Sequence, residues 1–279
     1  MVNAAASGGR ESEQEVLIID SHVHTGENWA EPVDVLLYQM QCNNVSHAVL
    51  IGHNGNYYNG YLLECLRRYE GRFKAVGLID TGDPNKHRYL ESFHKQGGSG
   101  IRVNLRKLDE WDPRDSLFKA AGELGMIVSA IGEAANFASA RFKKLLDNCP
   151  NTHFSLEHLA RSPGTDANEP PYARYREALQ CAQWPNTSIK VPGLGEIMTR
   201  PPRLPVGRPW DSVPPHYEMA KAAFGVQRMM WGSNFPPCAA KEGYRNTLHW
   251  VRNLPVFQND DDLEWVMGKS AAKLWGFEA

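Results

Sequence analysis

Short apolar, β-branched runs recur along the chain, and each is followed by polar or helical sequence. The runs are VLIIDSH (16–22), HAVLIGH (47–53), FKAVGLID (73–80), GIRVNL (100–105), MIVSAI (126–131), HFSLEH (153–158), TSIKVPG (187–193) and RMMWGSN (228–234). Several are apolar on successive residues, as strands buried on both faces of a parallel sheet must be. Between them lie PVDVLLYQMQCNN, YLLECLRRYEG, SLFKAAGELG, FASARFKKLLDN and YARYREALQCA, which place apolar residues at helical spacing and carry Gly or Asn near their ends. Alternation of this kind predicts parallel strands joined by crossover helices. Eight units predict an α/β fold, a single (β/α)8 barrel over residues 16–279, preceded by a flexible tail over 1–15. The final DDLEWVMGKSAAKLWGF opens with acidic residues suited to a helix N-terminus and predicts one or two closing helices.

The length, 279 residues, suits one such barrel, for which about 250 residues is typical. No fixed-period repeat competes with this reading. Two loops stand out: NGNYYNG (54–60), after the second strand, and the proline-rich LGEIMTRPPRLPVGRPWDSVPP (194–215), after the seventh. The second is a candidate lid, because its prolines oppose both helix and strand while keeping the loop semi-rigid.

Composition narrows the partners. At 42% hydrophobic and 22% charged, the chain has the apolar material for a sizeable core. Its formal net charge of −2, with no clustered Lys or Arg, offers no footprint for nucleic acid or an anionic membrane, which leaves a small-molecule partner. Cys42, Cys65, Cys149, Cys181 and Cys238 are odd in number and form no CxxC, so neither a disulfide framework nor a structural zinc site is expected; a reducing, cytoplasmic setting is. The first residues lack the apolar stretch of a secretory signal, and no run approaches the roughly 20 apolar residues that span a bilayer. Nothing in the sequence sets the oligomeric state.

In a barrel of this kind chemistry gathers at the C-terminal ends of the strands, where the loops share one mouth. His22 and His24 stand there, two apart on an extended segment, so that their side chains project to one side and can converge on one ion or one substrate oxygen. Among 10 histidines an HxH alone would be weak, but its place after VLIID, in the first strand of the series, favours function. His158 supplies a third imidazole at the end of the sixth run, and Asn234 closes the eighth. His53 holds the matching place after the second strand, where a loop role is an equal alternative. Arg102 and Lys190 are cations inside apolar runs, where an unpaired charge would be costly. Each is expected either to pair with a carboxylate such as Glu133 or Glu196, or to bind a substrate anion. Arg106, just beyond the fourth strand, is better placed for an anionic substrate than for packing; Arg200, Arg203 and Arg208 in the candidate lid are weaker candidates. GLGEIM lacks the third glycine of a dinucleotide fingerprint, MGKS lacks the first glycine of a phosphate loop, and no GxSxG is present. Cys238 has no neighbouring histidine to make it a nucleophile.

The motifs IIDSHVHTG, GIRVNL, FSLEHLA, SIKVPGLGE, MMWGSNFPP and GKSAAKLWGF, in this order, resemble the amidohydrolase-2 group of the amidohydrolase superfamily. The resemblance implies a distorted (β/α)8 barrel with its site at the strand C-termini. Its members include lactone hydrolases such as the 2-pyrone-4,6-dicarboxylate lactonases and, more distantly, the aminocarboxymuconate-semialdehyde decarboxylase type. By that resemblance His22 and His24 are the first-strand pair, His158 is the later histidine, and position 234 is the place of a carboxylate that closes a metal site or acts as general base. Here the motif reads WGSNFPP. An amide cannot accept a proton from water as a carboxylate does, so three readings stay open: an inactivated variant, an enzyme using another base such as His24 or His158, or a binding protein on a retired catalytic fold.

The resemblance also frames the cofactor. His22, His24 and His158 plus a water would make a catalytic zinc site, yet lactonases of the group can work without metal, and the seventh strand offers Lys190 in place of a histidine. The expected activity is hydrolysis of a small, carboxylated lactone, with Arg102, Arg106, Lys190 and His53 toward the substrate. A metal-dependent non-oxidative decarboxylase and a non-catalytic small-molecule-binding barrel are the alternatives.

Overall fold

The computed structural model describes residues 16–108, 114–160, 169–200, 202–203 and 213–278. The expected tail over 1–15 and the stretch 204–212 of the candidate lid, Arg208 included, lie outside the described residues. Eight parallel strands form one sheet in sequence order: β1 (Ile19–Val23), β2 (His47–Ile51), β3 (Phe73–Gly77), β4 (Gly100–Asn104), β5 (Ile127–Ile131), β6 (Phe154–Leu156), β7 (Thr187–Val191) and β8 (Met229–Trp231). This is the expected (β/α)8 barrel. Every strand falls inside its predicted run except β1, which continues one residue further, to Val23. The runs overshoot mainly at their C-terminal ends, because the polar residues that follow each strand belong to the loops of the mouth.

Closure between β1 and β8 uses side chains as well as backbone. The amide of Asn234 donates to the His22 carbonyl (2.9 Å) and that of His24 to the Phe235 carbonyl (2.7 Å). The buried Asp20 carboxylate accepts from the amides of Ser233 (2.9 Å) and His22 (3.2 Å). Burial raises the Asp20 pKa to about 6, and these amides offset part of that rise. The two strand ends that carry His22, His24 and Asn234 are therefore tied to each other directly.

Alternation along the strands sorts side chains into an outer layer against the helices and an inner layer within the barrel. Ile19, Val49, Ile51, Val76, Ile127 and Met230 fill the inner layer at the foot of the barrel, against Trp275 and Phe277 of the closing segment. Toward the strand C-termini the inner face turns polar, with Arg102, Ser129 and Lys190 all buried. In β1 the pairing register shifts between Asp20 and Val23. Ile19 joins the inner cluster while Val23, four residues on, joins the outer one, which a regular period of two forbids.

Helices Val33–Cys42, Gly60–Arg68, Ser116–Glu123 and Ala173–Leu179 occupy predicted stretches. The stretch 137–148 divides at Ser139, whose hydroxyl accepts from the Phe142 amide (3.1 Å) and caps a new helix, Ala140–Asn148. Lys86–Lys95 and His216–Phe224 are further crossover helices, and Tyr244–Arg252 follows β8. In the first of these only Leu90 and Phe93 are buried, so its apolar signal is thin. The closing segment forms Asp260–Glu264, one π turn at Trp265–Lys269, and Ser270–Trp275. No helix among the described residues is long and apolar enough to cross a membrane.

Candidate active site

His22 lies inside β1, within the stretch where the register shifts, and His24 directly follows the strand; both are buried, with their Nε2 atoms 3.3 Å apart. His158 follows β6 at the start of a tight turn in which His158, Leu159 and Ala160 all have positive φ, from 50° to 56°. Non-glycine residues pay for that backbone conformation, so the surrounding fold must impose it. The turn brings the His158 ring to 4.9 Å from that of His22, while the His53 ring lies 4.6 Å from that of His24. Four imidazoles, from the ends of β1, β2 and β6, thus meet in the mouth.

Beneath them runs a charged network. The Arg102 guanidinium donates to both oxygens of Glu157, Nε to Oε1 (3.0 Å) and NH2 to Oε2 (2.7 Å), and its NH1 donates to the Gly52 carbonyl (3.0 Å). Ser129 donates to Glu157 Oε1 (2.8 Å), and Lys190 donates to the Ser129 hydroxyl (2.8 Å) and to His22 Nδ1 (3.2 Å). The expected counter-ions of Arg102 and Lys190 were Glu133 or Glu196; the structure corrects this to Glu157, which lies within the sixth run itself, two strands from β4 and one from β7.

Hydrogen bonding fixes the protons. An ammonium can only donate, so Nδ1 of His22 accepts from Lys190 and its Nε2 carries the hydrogen. That hydrogen is donated to Nε2 of His24, whose Nδ1–H donates to the Ile51 carbonyl (2.7 Å). Both rings are neutral: burial first, then the charges of Lys190 and Arg102, hold them well below the usual histidine range. Burial lowers His158 too, against the pull of Glu196 and Glu157. Glu157 behaves oppositely: burial pushes its carboxyl up, but Arg102 and Lys190 more than reverse this and bring it down to about 2. Lys190 is lowered to about 8 by burial, with Glu157 resisting.

Beside His22, just after β8, Asn234 (φ 56°) holds the left-handed conformation that Asn tolerates better than most residues. Its Nδ2 donates to Oε1 of Glu196 (3.0 Å), and the Lys241 ammonium donates to the same oxygen. Glu196 ends the short turn Leu194–Glu196 after β7 and is buried.

The amidohydrolase family profile matches residues 19–277, nearly the whole chain. The chain belongs to the amidohydrolase family. Solved structures share the amidohydrolase barrel at low identity. A candidate 2-pyrone-4,6-dicarboxylic acid hydrolase from Pseudomonas putida is 20% identical, with TM-score 0.74 over 95% of this chain and 99% of that one. A zinc-bound amidohydrolase from Burkholderia multivorans is 17% identical, with TM-score 0.76 over 94% and 100%. A 5-carboxyvanillate decarboxylase from Sphingomonas paucimobilis is 13% identical, with TM-score 0.66 over 95% and 100%. A search of curated protein sequences finds no match.

Amidohydrolase-family enzymes often use a metal, so the donor set was compared with what a dication requires. Ligand atoms of His22, Glu157 and His158 lie within 4.8 Å of one another. Both Glu157 oxygens, however, are committed to Arg102, and Lys190 faces His22. A metal taking Glu157 would strip a buried guanidinium of its partner and add two positive charges beside two cations. As arranged, the group of His22, Glu157 and His158 does not fit a dication.

The remaining candidates sit further out. His53 lines a cavity of about 280 Å³ together with Thr25, Trp29, Asn56, Tyr58 and Tyr61, and its Nε2 finds no hydrogen-bond partner among the described residues. Arg106 is exposed and pairs with Glu133 at the rim. Arg200 and Arg203 are exposed. Cys238 is buried and its thiol is pushed far up by burial and by Asp20, which leaves no thiolate for nucleophilic work. Glu157, Ser129 and Glu196 were not singled out as site residues from sequence. The signal for Glu157 was available: two cations inside strands demand a carboxylate at the same depth, and FSLEH carries one.

Proposed function

We infer that the protein hydrolyses a small, carboxylated lactone by attack of water on the ring carbonyl, without a metal. The observation that carries this reading is the row of neutral imidazoles at His22, His24 and His158 backed by the Lys190–Ser129–Glu157–Arg102 network. With the N–H of His22 given to His24 and that of His24 to the Ile51 carbonyl, His158 is the imidazole left to donate N–H to a carbonyl oxygen, and the two buried cations behind the histidines favour the negative charge that develops there in the transition state. Lys190, bonded to His22 Nδ1, fixes the tautomers of the His22–His24 pair. Asn234, whose backbone amide is bonded to the His22 carbonyl, is placed to orient the attacking water. Arg106 at the rim holds the substrate carboxylate, since its exposed pair with Glu133 is weak enough to yield to a competing anion. The cavity beside His53, about 280 Å³, is on the scale of a single-ring ligand.

The test is ring opening across a panel of carboxylated and uncharged lactones, with the protein stripped by chelator and with zinc restored. Turnover of a carboxylated lactone that chelation leaves unchanged is the expected outcome. Failure to open any lactone, or release of carbon dioxide from an unsaturated acid only when metal is present, would refute the reading.

A further inference from the structure

Position 234 cannot supply a base, because an amide does not take a proton from water. A carboxylate nevertheless stands at that point in the mouth. Glu196 is buried, accepts from Asn234 Nδ2 at 3.0 Å and from the Lys241 ammonium, and interacts electrostatically with His158, which follows the neighbouring strand β6. Arriving from the turn after β7, it is adjacent to the side chain that ends β8. On the hydrolytic reading above, we propose that Glu196 is the general base of this site and that Asn234 is its positioning partner.

The pairing gives a reason for the amide. With Asp at 234, two carboxylates would meet at hydrogen-bond distance and could not both ionise, so one would be held as the acid. With Asn, the Nδ2–H group ties down Glu196 and the amide oxygen is left to accept from water. Of the two facing side chains, only Glu196 then carries a negative charge, paired with the Lys241 ammonium.

In the step itself the water oxygen bonds to the lactone carbonyl carbon while one of its protons passes to the Glu196 carboxylate. The tetrahedral intermediate collapses with rupture of the ring C–O bond. The departing ring oxygen takes the proton back from Glu196 and becomes the product hydroxyl, which regenerates the base. The water oxygen ends in the new carboxyl group, which ionises in solution.

Four proteins measured on the same lactone decide the assignment: the parent, Glu196→Gln, Asn234→Asp and the double variant. Glu196→Gln should lower kcat by about 10²- to 10⁴-fold, the usual cost of a lost general base, with KM little changed. Asn234→Asp, which preserves shape, should gain no more than about threefold, since a base is already present. The double variant, with one carboxylate restored at 234, should recover at least about tenfold over Glu196→Gln, which a mere folding defect would not allow. Full activity in Glu196→Gln, or a gain of about 100-fold in Asn234→Asp alone, would overturn the assignment while leaving the hydrolase reading intact. Absence of turnover in the parent and in Asn234→Asp would overturn that reading, and the base with it.

Discussion

Arg102 and Lys190 are both buried cations within a few ångströms of Glu157, yet they are held on different terms. Arg102 makes two hydrogen bonds to the carboxylate and a third to a backbone carbonyl. Lys190 reaches it only through Ser129, and burial lowers its pKa to about 8. Arg102→Met should therefore cost about 3–5 kcal/mol, because Glu157 loses its main counter-ion. Lys190→Met removes a charge that the fold already disfavours and should leave stability unchanged or raise it by about 1–2 kcal/mol, while turnover falls. Denaturant unfolding of the two variants reads the contrast; equal destabilisation would show that Lys190 is as integral to the network as Arg102. At this scale the sequence exposed the cations and the histidines and concealed their connections. Arg102 and Lys190 were legible because a charge inside an apolar run is anomalous. Their shared partner was not, since Glu157 sits next to a conspicuous histidine and two strand positions must be aligned across the sheet before the three groups meet. Glu196 was legible only as a counter-ion, because nothing in GLGE indicates that the turn after β7 aims it at the residue ending β8.

The strands were legible to within a few residues because apolar β-branched runs have few other uses, whereas the irregularity in β1 has no sequence signature. His22 sits within that irregularity, and Gly232, just after β8, leaves room for it. A Cβ built on Gly232 would lie 2.7 Å from the Cβ of His22 and 3.1 Å from the His22 amide nitrogen. The neighbour is backbone and a first side-chain carbon, which cannot swing aside as a long side chain would. Gly232→Ala should then cost about 1–3 kcal/mol by overpacking. It should also displace His22 relative to Lys190, where a shift near 1 Å can cost about 10²-fold in rate. Steady-state kinetics beside thermal unfolding would separate the two effects; full activity in a folded Gly232→Ala protein would show that the contact is relieved elsewhere and that His22 does not depend on it.

Over the whole molecule, burial of the site's histidines should make the fold sensitive to mild acid. His22, His24, His158 and His153 all have folded pKa values below 6.5, the last at about 4, where burial is the leading cause. An unfolded chain binds protons to these rings as pH falls through 6.5, while the folded chain does not. Each such difference lowers stability by about 1.4 kcal/mol per pH unit over the interval between the two pKa values. Asp20, at about 6, and Glu242, pushed up to about 7 by burial, oppose this. Their folded forms hold protons that the unfolded chain has lost above pH 4.5, so acidification between 7 and 4.5 favours the fold through them. With His47 and His53 also lowered by burial, six depressed histidines outweigh two raised carboxyls, and Tm should fall as pH is lowered from 7.5 to 5. Below 4.5 the carboxyls no longer compensate, and Glu157, ionised in the fold down to about 2, adds to the loss. His153 lies outside the mouth and donates or accepts only toward Ser188 (2.9 Å). His153→Gln should therefore flatten the slope between pH 6.5 and 5 without altering turnover. A Tm that stays constant or rises over that interval in the parent would mean that these rings are protonated in the fold, and the neutral tautomers assigned to His22 and His24 would have to be abandoned.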